Sequence, residues 1–202
     1  MRLSVRDLHH SYGGHANELF GGLSFDVDAG ESVAIMAPSG RGKSTLLNII
    51  GGLLDPTAGG VLVDGDLVAN KKESISWVFQ STNLLGRRSV LDNVLLPARV
   101  RGDSTERAMD TAMEAITRVG LSEKAAEPAR NLSGGEAQRV GVARALAWPS
   151  RVLLADEPTA NLDEANARVI AGALYARVTD AAVLVVTHDL SVAERADSVI
   201  RL

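Results

Sequence analysis

The chain has 202 residues, 46% apolar and 23% charged, with a net charge of −4, no cysteine and only 3% aromatic residues. Such a composition supports a single compact domain over residues 1–202 and excludes a disulfide framework, a thiolate metal site and a disordered chain. It also speaks against a nucleic-acid-binding module, which calls for a basic stripe and stacking aromatics. No apolar run approaches the roughly 18–20 residues needed to cross a bilayer, so work at a membrane requires another chain as anchor.

In chain order, the first third carries short alternating runs, Leu3 to Asp7, Leu23 to Val27 and Val61 to Val63, separated by turn signals such as Asp28-Ala29-Gly30 and Asp64-Gly65. These predict a partly antiparallel sheet. Ser32 to Met36, Val152 to Ala155 and Val183 to Val186 have the length and composition of strands buried on both faces. Helical stretches between them predict crossover connections, a parallel sheet and hence an α/β core. Between Ser81 and Arg130 the strand signal disappears, and Ser104 to Val119 carries Ala108, Ala112, Met113, Ile116 and Val119 at helical spacing before Gly120. A helical insertion over about 81–147 follows.

Four segments carry chemistry. Strand Ser32 to Met36 runs into Ala37, Pro38, Ser39, Gly40, Arg41 and Gly42, and then into a helix opened by Lys43, Ser44 and Thr45. Glycines in this setting let backbone N–H groups converge on phosphates, the helix N-terminus adds positive potential, Lys43 supplies a full charge and the Ser44 hydroxyl can ligate Mg²⁺. Ala37 stands where the pattern begins with glycine; if that position needs positive φ, the loop bears strain of about 1–3 kcal/mol. The second segment, Val152 to Ala155, ends in Asp156-Glu157-Pro158, placing two carboxylates where a parallel sheet meets its ligand. Asp156 is suited to hold Mg²⁺, and Glu157 to orient or deprotonate the water that attacks a γ-phosphate. Third, Val183 to Val186 is followed by Thr187-His188-Asp189, with His188 placed to sense that phosphate. His9, His10 and His15 lack such a setting. Fourth, Leu132-Ser133-Gly134-Gly135-Glu136 opens a helix with Val140, Ala143 and Leu146 on one face, a second start able to accept an anion.

The last segment resembles the signature motif of ATP-binding cassette (ABC) ATPases, and the resemblance extends in order over nearly the whole chain. It implies a phosphate-loop ATPase fold with a parallel-sheet core, an N-terminal antiparallel subdomain and a helical signature subdomain. Tyr12 matches the adenine-stacking aromatic, Ala37 to Thr45 the phosphate loop, and Gln80 the glutamine that contacts Mg²⁺ and the membrane partner. Ser133 to Glu136 match the signature, Asp156 and Glu157 the acidic pair, Asn161 to Asp163 the dimer-contacting loop, and His188 the switch histidine. In that family the signature of one subunit covers the ATP held by the phosphate loop of the other, which implies a head-to-tail homodimer hydrolysing MgATP. The expected partner is an integral membrane permease, with the chain peripheral on the cytoplasmic face.

Gly51 to Thr57, Val78 to Leu85, Asp92 to Pro97 and Pro158 to Asp163 resemble the macrolide-exporter and lipoprotein-release group, although Asp64 to Gln80 is shorter than usual there. Leu84, Leu85, Val90, Val94 and Leu95 are candidates for a groove that takes a permease helix; the alternative is that they pack the helical subdomain. The motifs leave open a non-transport ABC ATPase that signals across a membrane, as in cell division. A DNA-repair ATPase lacks support in the absence of a coiled coil and basic surface, and a small-molecule kinase would leave the signature unexplained.

Overall fold

The computed structural model describes residues 2–12, 18–38, 40–103, 105–160, 162–176 and 181–202. Strands β1 (Arg2–Ser11), β2 (Glu18–Asp28), β4 (Ala58–Val63) and β5 (Asp66–Leu67) form an antiparallel sheet in the order β2-β1-β4-β5. The parallel sheet has the order β6-β7-β8-β3-β9, with β3 Ser32–Met36, β6 Ile75–Val78, β7 Val152–Asp156, β8 Ala182–Val186 and β9 Ser198–Arg201. Both expected sheets are present.

Helix α1 (Lys43–Ile50) follows β3, and α6 (Glu164–Tyr175) and α7 (Leu190–Ala193) flank β8. Between β6 and β7 the described residues form α2 (Val90–Val94), α3 (Leu96–Val100), α4 (Glu106–Arg118) and α5 (Gly134–Leu146), with no named strand.

The central strands β7 and β8 are buried along their whole length, as their unbroken apolar runs require. Alternate side chains feed two cores. Leu153, Ala155, Val183 and Val185 pack with α2, α4, α5 and α6, whereas Val152, Leu154, Leu184 and Val186 pack with α1 and the antiparallel sheet. The site therefore sits on strand ends clamped from both faces.

Several boundaries differ from those expected. β1 continues past Asp7 to Ser11 because the chain bulges there: the register with β2 shifts between Val5 and Leu8, and Asp7 takes φ 43°. The partner backbone comes so close that a Cβ on Gly59 would lie 2.1 Å from the Asp7 carbonyl oxygen. Val90, Val94 and Leu95 are at most 6% exposed and belong to the core shared with α4 and α5; Val94 and Leu95 also edge a cavity of about 540 Å³ lined with Ala98, Arg101, Arg107 and Trp148. A separate, exposed apolar groove of about 330 Å³ lies between β6, α3 and the end of α5, lined by Trp77, Phe79, Leu96, Pro97, Val100 and Trp148. Trp77 and Phe79 stack there at 5.1 Å.

Candidate functional site

The loop after β3 and the C-terminal ends of β6 and β7 converge on a cavity of about 490 Å³ lined by Tyr12, Leu19, Gly40, Gly42, Lys43, Ser44, Thr45, Gln80, Asp156 and Glu157. The loop from β3 to α1 places its positive φ at Gly40 and Gly42, both at 81°. Gly42 is also closely approached, since a Cβ there would lie 2.4 Å from Cδ2 of Leu19. Ala37 is not among the residues of positive φ, so the strain that its lost glycine would have caused does not arise. Ser39 lies outside the described residues.

Lys43 folds back over its own loop, donating from Nζ to the Ala37 carbonyl at 2.8 Å and the Pro38 carbonyl at 3.3 Å. Its ammonium also lies 3.8 Å from Oε1 of Glu157, with both side chains about nine-tenths buried. The Tyr12 hydroxyl is 3.1 Å from the Thr45 hydroxyl, while the ring is 56% exposed at the rim.

At the end of β7 the two acids diverge. Asp156 is buried, and desolvation pushes its carboxyl above the usual range, partly opposed by hydrogen bonding to the Ser44 hydroxyl. Its Oδ1 is buried with no hydrogen-bond partner. Glu157 leaves the strand with φ 45°, a conformation that costs a non-glycine residue of order 1 kcal/mol. The turn is locked by a bond from the Glu157 N–H to the Val186 carbonyl at 2.9 Å. It aims the carboxylate at His188, whose ring Nδ1 donates to Oε2 at 2.9 Å and whose backbone N–H donates to the same oxygen at 3.3 Å. The His188 ring is otherwise largely exposed and borders a second cavity with Ala37 and Pro38 rather than the one lined by Lys43 and Asp156.

Ser133 to Glu136 do not line this cavity. Ser133 caps α5 reciprocally with Glu136: the Glu136 N–H donates to the Ser133 hydroxyl oxygen at 3.3 Å, and the Ser133 N–H donates to Glu136 Oε2 at 2.9 Å. Gly134 is exposed and Gly135 half-buried. Lys124 approaches Glu136 Oε1 at 2.5 Å, and this bond is the largest of the effects that hold the Glu136 carboxyl down at about 2. Asp163 caps α6 by accepting from Asn166 N–H at 2.8 Å; Asn161 lies outside the described residues.

Three features lie beyond what the sequence reading found. Leu19 sits under Gly42, and nothing in its sequence position announces that. Gln138 donates to the Phe79 carbonyl at 3.4 Å, and Arg144 to the carbonyls of Thr82 and Asn83 at 3.0 and 3.2 Å. Helix α5 thereby grips the backbone on both sides of Gln80. Lys124 is the third, a basic residue too far from the signature in sequence to be paired with it by spacing.

A strand, a glycine-bearing loop that opens a helix, a buried lysine and acids on the next strand but one of the same sheet define a phosphate-loop nucleotide-binding protein. The sequence profile of ABC transporters matches residues 20–160. The lipoprotein-releasing system ATP-binding protein LolD 1 of Rhodopirellula baltica is 39% identical, with 95% of this chain and 90% of that protein aligned. The macrolide export ATP-binding/permease protein MacB of the same organism is also 39% identical over 94% of this chain, which spans 30% of that longer protein. In structure, the ATP-binding cassette MJ0796, solved as a dimer in a post-hydrolysis state bound to ADP and Pi, superposes with a TM-score of 0.87 at 33% identity, covering 99% of this chain and 94% of that one. The chain belongs to the ABC transporter family. It is an ATP-binding, ATP-hydrolysing subunit of that family, and no helix among the described residues is long and apolar enough to cross a membrane.

Proposed function

We propose that the protein hydrolyses MgATP at two composite sites of a head-to-tail homodimer and drives a membrane permease of the lipoprotein-release or macrolide-export kind from the cytoplasmic face. The observation that carries this reading is the separation within one chain of a ligand-ready cavity from a capped, outward-facing signature turn. A second copy would bring the missing half to each cavity.

In this reading Tyr12 stacks on the adenine, with Leu19 beneath the sugar side of the loop. The backbone from Ala37 to Thr45, Ser39 included, cradles the phosphates, and Lys43 exchanges its carbonyl contacts for phosphate oxygens. Ser44, Asp156 and Gln80 would hold Mg²⁺; the orphaned, buried Oδ1 of Asp156 fits a hard cation, which supplies charge neutralisation when bound. Glu157 accepts a proton from the water that attacks the γ-phosphorus, and His188, tied to Glu157 through Nδ1, presents Nε2 to the γ-phosphate. The bond to the bridging oxygen of ADP breaks, and inorganic phosphate leaves. Ser133, Gly134, Gly135 and Glu136 cover the partner's γ-phosphate.

Mechanical output is expected through the residues that α5 grips. Movement at Gln80 would shift the Phe79 end of the Trp77/Phe79 groove, which suits the apolar face of a cytoplasmic permease helix. Complementation tests the shared sites: Lys43→Ala and Ser133→Arg proteins, each inactive, should regain part of the wild-type turnover when mixed, because one mixed dimer site is intact. No recovery at any mixing ratio contradicts the composite site.

A further inference from the structure

The signature turn contains a charge problem. The N-terminus of α5 carries the equivalent of about +0.5 charge, which is what makes a helix start attractive to phosphate. Glu136, at the third position of that helix, adds a full negative charge to the same turn, and its Oε2 lies within 3.0 Å of the Ser133 hydroxyl oxygen. On these charges alone the turn would be about −0.5 and would repel an approaching phosphate. Nothing in the capping arrangement removes that charge, because hydrogen bonds from Ser133 stabilise the ionised form.

The balancing charge comes from outside the motif. Lys124 ends the short 3₁₀ turn Ser122–Lys124 that follows α4, and its Nζ meets Oε1, the carboxylate oxygen that Ser133 leaves unused. Glu136 is thus divided between two tasks, with Oε2 capping the helix and Oε1 paired to Lys124. We propose that Lys124 is a positioning and charge-compensating residue of the signature turn, cancelling Glu136 so that the turn of one subunit can close over the γ-phosphate of ATP on the other. This rests on the composite-site reading above. It also assigns to the turn after α4 a direct hold on the nucleotide-closing surface, since moving Lys124 away would uncover the Glu136 charge.

The test is a double-mutant cycle read as nucleotide-driven dimerisation, in full-length protein that also carries Glu157→Gln to stop turnover. Light scattering gives the MgATP concentration at half-dimerisation. Lys124→Met should raise it about tenfold while Glu136 is present and by less than about twofold when introduced together with Glu136→Gln. Lys124→Arg should stay within about twofold of the parent. Binding of a fluorescent ATP analogue to the isolated monomer should be unchanged by Lys124→Met, because the phosphate loop is elsewhere. Equal losses in both Glu136 backgrounds would overturn charge compensation and leave Lys124 a purely structural contact, and so would no loss at all. Failure of the Glu157→Gln parent to dimerise would instead refute the composite site itself.

Discussion

The phosphate-loop end of the molecule and the signature helix differ in how far each is complete by itself. Around the loop, groups are held in costly or provisional states: Glu157 in a left-handed conformation, Asp156 with a buried oxygen unpartnered, and Lys43 resting on the carbonyls of its own loop. At the signature turn the cap is reciprocal and the one charge is paired. A site that must receive a ligand keeps unsatisfied groups in reserve. In the proposed dimer the signature turn closes over the partner's ligand, and such a surface is better rigid and finished beforehand, since less ordering is then needed when it binds.

The contrast can be broken from either side. Replacing Glu157 by Gln should lower ATP turnover roughly 10²–10⁴-fold, the range for loss of a general base, while nucleotide affinity holds; single-turnover kinetics with equilibrium binding would separate the two. Lys43→Ala should weaken nucleotide binding itself, by about ten- to a hundredfold as expected for a charged hydrogen bond, in a titration with a fluorescent ATP analogue. On the finished side, Ser133→Ala should cost about 1 kcal/mol of stability in the monomer without nucleotide, because the Glu136 N–H loses its cap; urea unfolding would measure it. Smallest is a pH effect. Glu136 titrates at about 2 against 4.5 in an unfolded chain, so its pairing stabilises the fold above the unfolded value and is lost as pH falls through about 2. Lys124→Met should flatten that part of the acid-unfolding curve.

The same division governs what could be read from the sequence. The phosphate loop, the acids at the end of β7 and His188 were legible because each lies in a run of adjacent residues at the end of a buried strand, where local order sets the side chains' place. Helix α4 was legible from its apolar spacing and its Gly120 stop. What escaped lies between segments. The hold of Gln138 and Arg144 on the carbonyls of Phe79, Thr82 and Asn83 depends on how α5 lies against the end of β6, and Lys124 meets Glu136 only because α4 turns back on α5. Val90 and Val94 illustrate the limit of apolar composition, which marks a residue as wanting cover without saying whether this chain or a partner supplies it. Ala37 shows a motif position where glycine's freedom goes unused, because the backbone takes its positive φ three and five residues later.

The central claim is that each cavity is completed by a second copy. Light scattering of Glu157→Gln protein at saturating MgATP tests it most directly. A mass twice that of the 21.3 kDa chain is predicted, returning to the monomer when the nucleotide is removed. A monomer at saturating MgATP would contradict it.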